Sequence, residues 1–235
     1  MSLQPRMRGD AVNAIYLHGF ASSAGSTKGA FFASKLREQG ITLHSPDFNE
    51  PDFSTLTITR MVTQVERVLE TLPAGPVVLI GSSLGGFVAL QVALRHPVDR
   101  LVLLAPAIDF TGNRLRELGD RGLDAWEQTG QLNVFHYGYG RIVPVHYGLY
   151  TDAARYSCAG VRLEMPIQIF QGRRDTAVSP VNVERWARQR PNVELHMLDD
   201  DHQLTASLND IWREMERFLT PAPEGASTSP TSGPS

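Results

Sequence analysis

Two hydrophobic textures alternate along the chain. Short apolar segments of strand length occupy residues 14–17, 41–45, 77–80, 101–104, 167–170 and 193–198. Between most of them, apolar side chains return every three or four positions over longer stretches. Compact apolar segments closed by glycine or proline predict strands buried on both faces, and 3.6-residue spacing predicts amphipathic helices. Helices are therefore expected over 30–39, stopped by Gly40, and over 56–72, where Ile58, Met61, Val62, Val65, Val68, Leu69 and Leu72 share a stripe. Others are expected over 87–95, 181–188 and 204–219. Six strands separated by helices imply an α/β fold: a mostly parallel sheet covered on both faces.

The stretch 107–163 breaks this rhythm. Residues 114–128 predict one or two short helices, after which Phe135, His136, Tyr137, Tyr139, His146, Tyr147, Tyr150 and Tyr156 crowd around glycines and Pro144. An insert after a strand, at the sheet's carboxyl edge, is expected to form a small lid. Tyr137 and Tyr147 are expected to line an aromatic substrate pocket beneath it. His136 and His146 are placed to face each other across a hairpin. Residues 1–11 predict a flexible leader without the apolar core of a signal peptide. Residues 220–235 are rich in Pro, Ser, Thr and Gly and predict a disordered tail. One domain over 12–219 remains.

Charge narrows the partners. Against 25 acidic residues stand 22 basic ones, which gives no electrostatic reason to expect nucleic acid or an anionic membrane. The longest apolar run, 101–108, is too short to span a bilayer. Cys158 is the only cysteine, so no intrachain disulfide can form, which fits a reducing, cytoplasmic compartment. Its thiol is expected to pack as a small residue in a short helix.

Ligand sites of parallel sheets gather at the carboxyl ends of the strands. There the sequence places His18-Gly19-Phe20, His44 and Asp47, Ser83, Asp109, Asp175 and His202. The segment Gly81-Ser82-Ser83-Leu84-Gly85 joins a buried strand to a helix. Glycines at its ends allow the sharp turn, and the middle residue, Ser83 rather than Ser82, is the one projected. Serine becomes a nucleophile only when a base takes its proton and an acid holds that base. His202 after the last strand and Asp175 after the strand before it supply both, in the chain order Ser…Asp…His.

Other readings stand beside these. Asp175 could cap the helix near Pro180, and Asp109 is an alternative acid. Asp199, Asp200 and Asp201 compete as the partner of His202, or as metal ligands, although no second ligand set accompanies them and no metal is expected. His44, His96 and His196 are expected to be structural or exposed. Residues 81–86 lack the lysine of a phosphate-binding loop, and no organic cofactor is called for.

Tyr16-Leu17-His18-Gly19-Phe20, Gly81-Ser82-Ser83-Leu84-Gly85-Gly86, Gly172-Arg173-Arg174-Asp175-Thr176-Ala177-Val178 and Asp201-His202 together resemble a small serine α/β-hydrolase. The nearest likeness is a compact esterase group carrying Leu-His-Gly-Phe and Gly-Ser-Ser-Leu-Gly-Gly. The resemblance covers most of 12–219 and is weakest over 107–163. It implies hydrolysis of a small carboxylic ester or thioester through an acyl-enzyme. Ser83 would be nucleophile, Asp175 acid and His202 base, with the backbone N–H groups of Phe20 and Leu84 as the oxyanion hole. His18 would shape the oxyanion loop at the edge of the substrate site. The leading antiparallel strands of larger relatives are not expected ahead of residue 14. Acyl transfer, perhydrolysis, peptide cleavage and a non-catalytic binding role stay open on the same scaffold.

Overall fold

The structure, a computed structural model, describes residues 12–110 and 119–219. In chain order the elements are β1 (Asn13–Leu17), α1 (Thr27–Glu38), β2 (Leu43–His44), a 3₁₀ turn (Phe53–Thr55), α2 (Ile58–Thr71), β3 (Val77–Ser82), α3 (Leu84–Ala93) and β4 (Arg100–Leu104). An insert follows, comprising α4 (Gly119–Thr129), β5 (Gln131–His136), β6 (Arg141–His146) and α5 (Gly148–Ala153). The chain then returns to alternation with β7 (Ile167–Gly172), α6 (Pro180–Arg188), β8 (Val193–Leu198) and α7 (Leu208–Leu219).

Six strands form one sheet in the order β2-β1-β3-β4-β7-β8, and every pairing is parallel. The chain steps outward from β1 to β2, crosses back to β3, and then walks to the other edge. The strand order therefore reverses between β1 and β3, where ligand crevices of open sheets lie. Register brings the two carboxyl ends level, with Leu17 opposite Gly81. The His18 turn and the Ser83 turn consequently leave the sheet side by side.

Successive strand residues point to opposite faces, and both faces are apolar. Ile15, Leu17, Leu79, Leu101, Leu103, Ile167 and Ile169 pack on one side with α2, α3 and α6. Ala14, Tyr16, Val78, Ile80, Val102, Leu104 and Phe170 pack on the other with α1 and α7. The continuous apolar runs are the sequence trace of this double burial.

Several expected boundaries move. Helix α1 begins at Thr27, ahead of the expected 30, because the Ser26 side chain accepts the Gly29 N–H and caps it. Strand β2 shrinks to two residues. Helix α7 starts at Leu208 rather than 204, since Leu204 adopts a left-handed conformation with φ 56°. In the insert, β5 and β6 form an antiparallel hairpin whose register opposes His136 to Arg141 and Gln131 to His146. The two histidines thus sit at opposite ends of the hairpin and do not face each other. Cys158 is buried in the loop beyond α5 rather than in a helix. The expected leader over 1–11, the expected tail over 220–235 and part of the 114–128 helix lie outside the described residues. Among the described residues, no helix is long and apolar enough to cross a membrane.

Candidate active site

The turn after β3 holds Ser83 at φ 52° and ψ −115°, a left-handed conformation that a non-glycine residue keeps only when its surroundings enforce it. They do so here through the exit of β4. The Ser83 N–H donates to the Leu104 carbonyl (2.8 Å), and its own carbonyl accepts from Ala107 (3.0 Å) and Gly86 (2.9 Å). Helix α3 then crosses so close to β1 that a methyl group on Gly85 would overlap the Leu17 carbonyl. Ser82 is buried beside it, and the Tyr16 hydroxyl engages its side chain. Ser83 is the member of the pair that meets an imidazole.

That imidazole belongs to His202. Its Nε2 lies 3.1 Å from Ser83 Oγ, and its Nδ1 lies 2.8 Å from Asp175 Oδ2. With Nδ1–H donating to the carboxylate, Nε2 is left as acceptor for the serine hydroxyl. Asp175 is held on every side. Its Oδ1 accepts the N–H groups of Ala177 and Val178, each at 2.8 Å, and its Oδ2 also accepts Gln171 Nε2 at 2.8 Å. Burial by itself would push this carboxyl up. The hydrogen bond and charge of His202, with the Val178 and Gln171 donors, outweigh burial and hold it below the usual carboxylate range. The cap of α6 is Ser179, whose side chain accepts the Asn182 N–H, so Asp175 does not cap that helix; its Oδ1 fixes the 177–178 turn while its Oδ2 meets His202.

The neighbouring acids are employed elsewhere. Asp199 pairs with Arg174. Asp200 is buried and accepts the N–H groups of Asp201 and Ser207, at 2.8 and 2.9 Å, while Asp201 accepts that of Gln203 at 2.7 Å. These bonds shape the loop that presents His202. Lys28, on α1, donates from Nζ to the Gln203 carbonyl (2.8 Å) and ties the same loop to the helix. Burial lowers its ammonium to about 8, although Asp201, Asp200 and Asp175 act in the opposite sense. Asp109 is exposed. His96 pairs with Glu66, and His196 stacks on Phe170 and pairs with Glu194.

Opposite His202 runs the loop after β1. Gly19 lies against Ser83 so tightly that an added Cβ would sit 3.3 Å from Ser83 Cβ. Phe20 follows, half-buried with its ring 5.4 Å from that of Phe53. Leu84 is the first residue of α3, a position whose N–H has no acceptor within the helix. His18 is buried, its Nδ1–H donating to the Gly19 carbonyl (2.9 Å) and its Nε2 accepting the Phe48 N–H (2.9 Å). Its ring thus fastens the loop instead of offering an edge to a ligand. Of the expected pocket residues, Tyr137 is 74% exposed at the hairpin tip, its ring edge-on to Phe135. Tyr147 packs edge-on against Trp126 (5.6 Å) and beside Tyr150 (5.2 Å), inside the insert.

Residues 13–220 match the uncharacterised protein family UPF0227. The chain belongs to that family. This UPF0227 member is also similar to lipase LipV of Mycobacterium tuberculosis, at 37% identity over 86 residues, which is 34% of this chain and 33% of that protein. It is similar to the mitochondrial palmitoyl-protein thioesterase ABHD10 of Bos taurus, at 21% identity over 74% of this chain and 60% of that protein. The alignments thus span about a third and three-fifths of these curated relatives. Among solved structures, mouse α/β hydrolase domain-containing protein 10 superposes with a TM-score of 0.75, at 19% identity and 91% coverage of each chain. Est1E from Butyrivibrio proteoclasticus with bound ferulic acid superposes at 0.71, with 18% identity and 92% coverage of each. The UPF0227 chain has the α/β-hydrolase fold.

Gln171, Lys28 and Asn49 escape the sequence reading. Gln171 left a faint trace, one of two glutamines in a mainly apolar strand, four positions before Asp175. Lys28 and Asn49 left none, because their partners lie far along the chain.

Proposed function

We propose that this protein is a serine hydrolase of carboxylic esters. The observation that carries the reading is the continuous chain of hydrogen bonds from Ser83 Oγ through His202 to Asp175, beside the start of α3, where the Leu84 N–H has no acceptor within the helix. His202 Nε2 takes the Ser83 proton as the oxygen attacks the acyl carbon. The tetrahedral oxyanion then receives the N–H groups of Phe20 and Leu84, a kind of contact worth roughly 3–4 kcal/mol per donor in the transition state. Collapse breaks the bond to the leaving oxygen, which takes the proton held on His202. Water, deprotonated by the same imidazole, attacks the acyl-enzyme and releases the acid and Ser83. No step calls for a metal or an organic cofactor.

Thioesters form a second substrate class, favoured by the likeness to a protein named as a palmitoyl-protein thioesterase. The leaving thiol would depart through the same imidazole. The single cysteine and the balanced charge support a cytoplasmic site of action on small-molecule substrates. The test is direct. A fluorophosphonate probe is expected to label the wild type once per chain, and p-nitrophenyl esters of graded length, run beside acyl-CoA thioesters, are expected to be turned over. Ser83→Ala is expected to lose both labelling and turnover, with kcat falling roughly a millionfold. Labelling that persists in Ser83→Ala would end the proposal.

A further inference from the structure

A second buried polar cluster lies against the 19–23 loop and plays no part in the proton transfers above. Asn49, 3% exposed, donates from Nδ2 to the Ser22 carbonyl at 2.9 Å. Its Oδ1 accepts from Nε2–H of His136 at 3.0 Å. His136 ends β5 and is wholly buried. Its Nδ1 accepts the Tyr139 N–H at 3.1 Å, so the neutral ring carrying its hydrogen on Nε2 is the tautomer that satisfies both partners. Tyr139 stacks on that ring at 3.8 Å, and Phe53 meets it edge-on at 4.6 Å. The next residue of the hairpin acts in parallel, since the Tyr137 N–H donates to the Ala21 carbonyl at 2.8 Å.

Two successive carbonyls of the loop are thus held from the insert: Ala21 directly, and Ser22 through Asn49 and His136. Ala21 itself stands at φ 53°, a conformation that costs of order 1–3 kcal/mol and persists only where neighbours fix it. Phe20, the oxyanion donor proposed above, immediately precedes Ala21. Burying an asparagine and a histidine is unfavourable unless each bond is made, and here the chain of bonds runs from the hairpin at Tyr139 to the loop that carries Phe20.

We infer that Asn49 and His136 are positioning residues of the oxyanion hole, through which the inserted hairpin aims the Phe20 N–H. The inference rests on the serine-hydrolase reading above. On this account the insert is a fixed rim of the loop that carries Phe20. Misplacing a donor by about an ångström is expected to cost 10- to 100-fold in rate.

The experiment measures ester hydrolysis and amide hydrogen exchange across residues 19–24 in three variants. Asn49→Ala and His136→Phe are expected to lower kcat roughly 10- to 100-fold with KM changed less than about twofold, and to speed exchange in the loop while α3 stays protected. His136→Gln carries an amide able to donate to Asn49 and to accept from Tyr139, and is expected to restore most of the rate. If Asn49→Ala does not fold, the two His136 variants carry the comparison. An active wild type whose kcat is indifferent to these changes, or a loop whose exchange is unchanged, would overturn the positioning role alone. A wild type inert towards every ester and thioester would instead remove the hydrolase reading, and the oxyanion role with it.

Discussion

At the scale of single residues, Asp175, the proposed catalytic acid, also bears on stability. Its carboxyl is held below the usual range in the folded chain, whereas the unfolded chain binds a proton near the ordinary value of about 4. The native state therefore binds fewer protons around that pH, and the sign follows from linkage. Asp175 stabilises the fold above about pH 4, and this contribution is lost as the pH falls through the depressed native value. Acid titration of unfolding is expected to be shallower below pH 4 in Asp175→Asn than in the wild type. The same variant is expected to lose roughly 10⁴-fold in kcat, as removal of the orienting acid does elsewhere. A titration with the same slope as the wild type would show that His202 and Gln171 do not hold the carboxylate ionised. The meeting of Ser83, Asp175 and His202 was legible where chemistry demands fixed neighbours: Ser83 between its glycines, Asp175 and His202 after successive strands. Asn49 was not legible, because a lone asparagine in a Pro/Asp-rich loop carries no spacing that links it to a histidine 87 positions away.

At the scale of elements, the turn at Ser83 depends on how closely α3 approaches β1. Apolar periodicity announced the strand and the helix, and their burial on both sides of the sheet follows from it. The approach distance was announced only by glycine. Gly85→Ala would drive a methyl into the Leu17 carbonyl, a backbone group with no flexible side chain to yield. The variant is expected either to fail to accumulate as folded protein or to lose several kcal/mol of stability, as severe overpacking does. A chemical-denaturation midpoint within error of the wild type would refute this packing account. Where the elements departed from expectation, local backbone chemistry had prevailed over hydrophobic spacing. Ser26 lengthens α1 by capping it early, and the left-handed Leu204 delays α7. The 131–146 hairpin left the weakest trace, because its strands are half-exposed and Pro144 interrupts one of them.

At the scale of the whole molecule, topology gathers the site. Ser83, Asp175 and His202 are separated by 92 and 27 positions, yet each follows the carboxyl end of a strand in one parallel sheet. The reversal of strand order between β1 and β3 sets the 19–23 loop beside Ser83. This convergence could be read from the alternation of strand and helix before any distance was known. The insert's attachment to the 19–23 loop was not readable, since it depends on where a half-exposed hairpin comes to rest.

The lone thiol offers an unplanned instrument. Cys158 is 1% exposed, sits 3.4 Å from Gln91 Nε2, and has its ionisation pushed up to about 12, chiefly by burial. Because reagents such as Ellman's attack the thiolate, the native protein is expected to give almost no colour at neutral pH, while the denatured chain gives one equivalent. The rate at which colour then develops under native conditions clocks how often the packing between α3, α6 and the 154–163 loop comes apart. Prompt stoichiometric reaction of the native chain would mean that this region breathes far more freely than its burial implies. Otherwise the unmodified sequence carries its own stopwatch for opening, with no engineered label required.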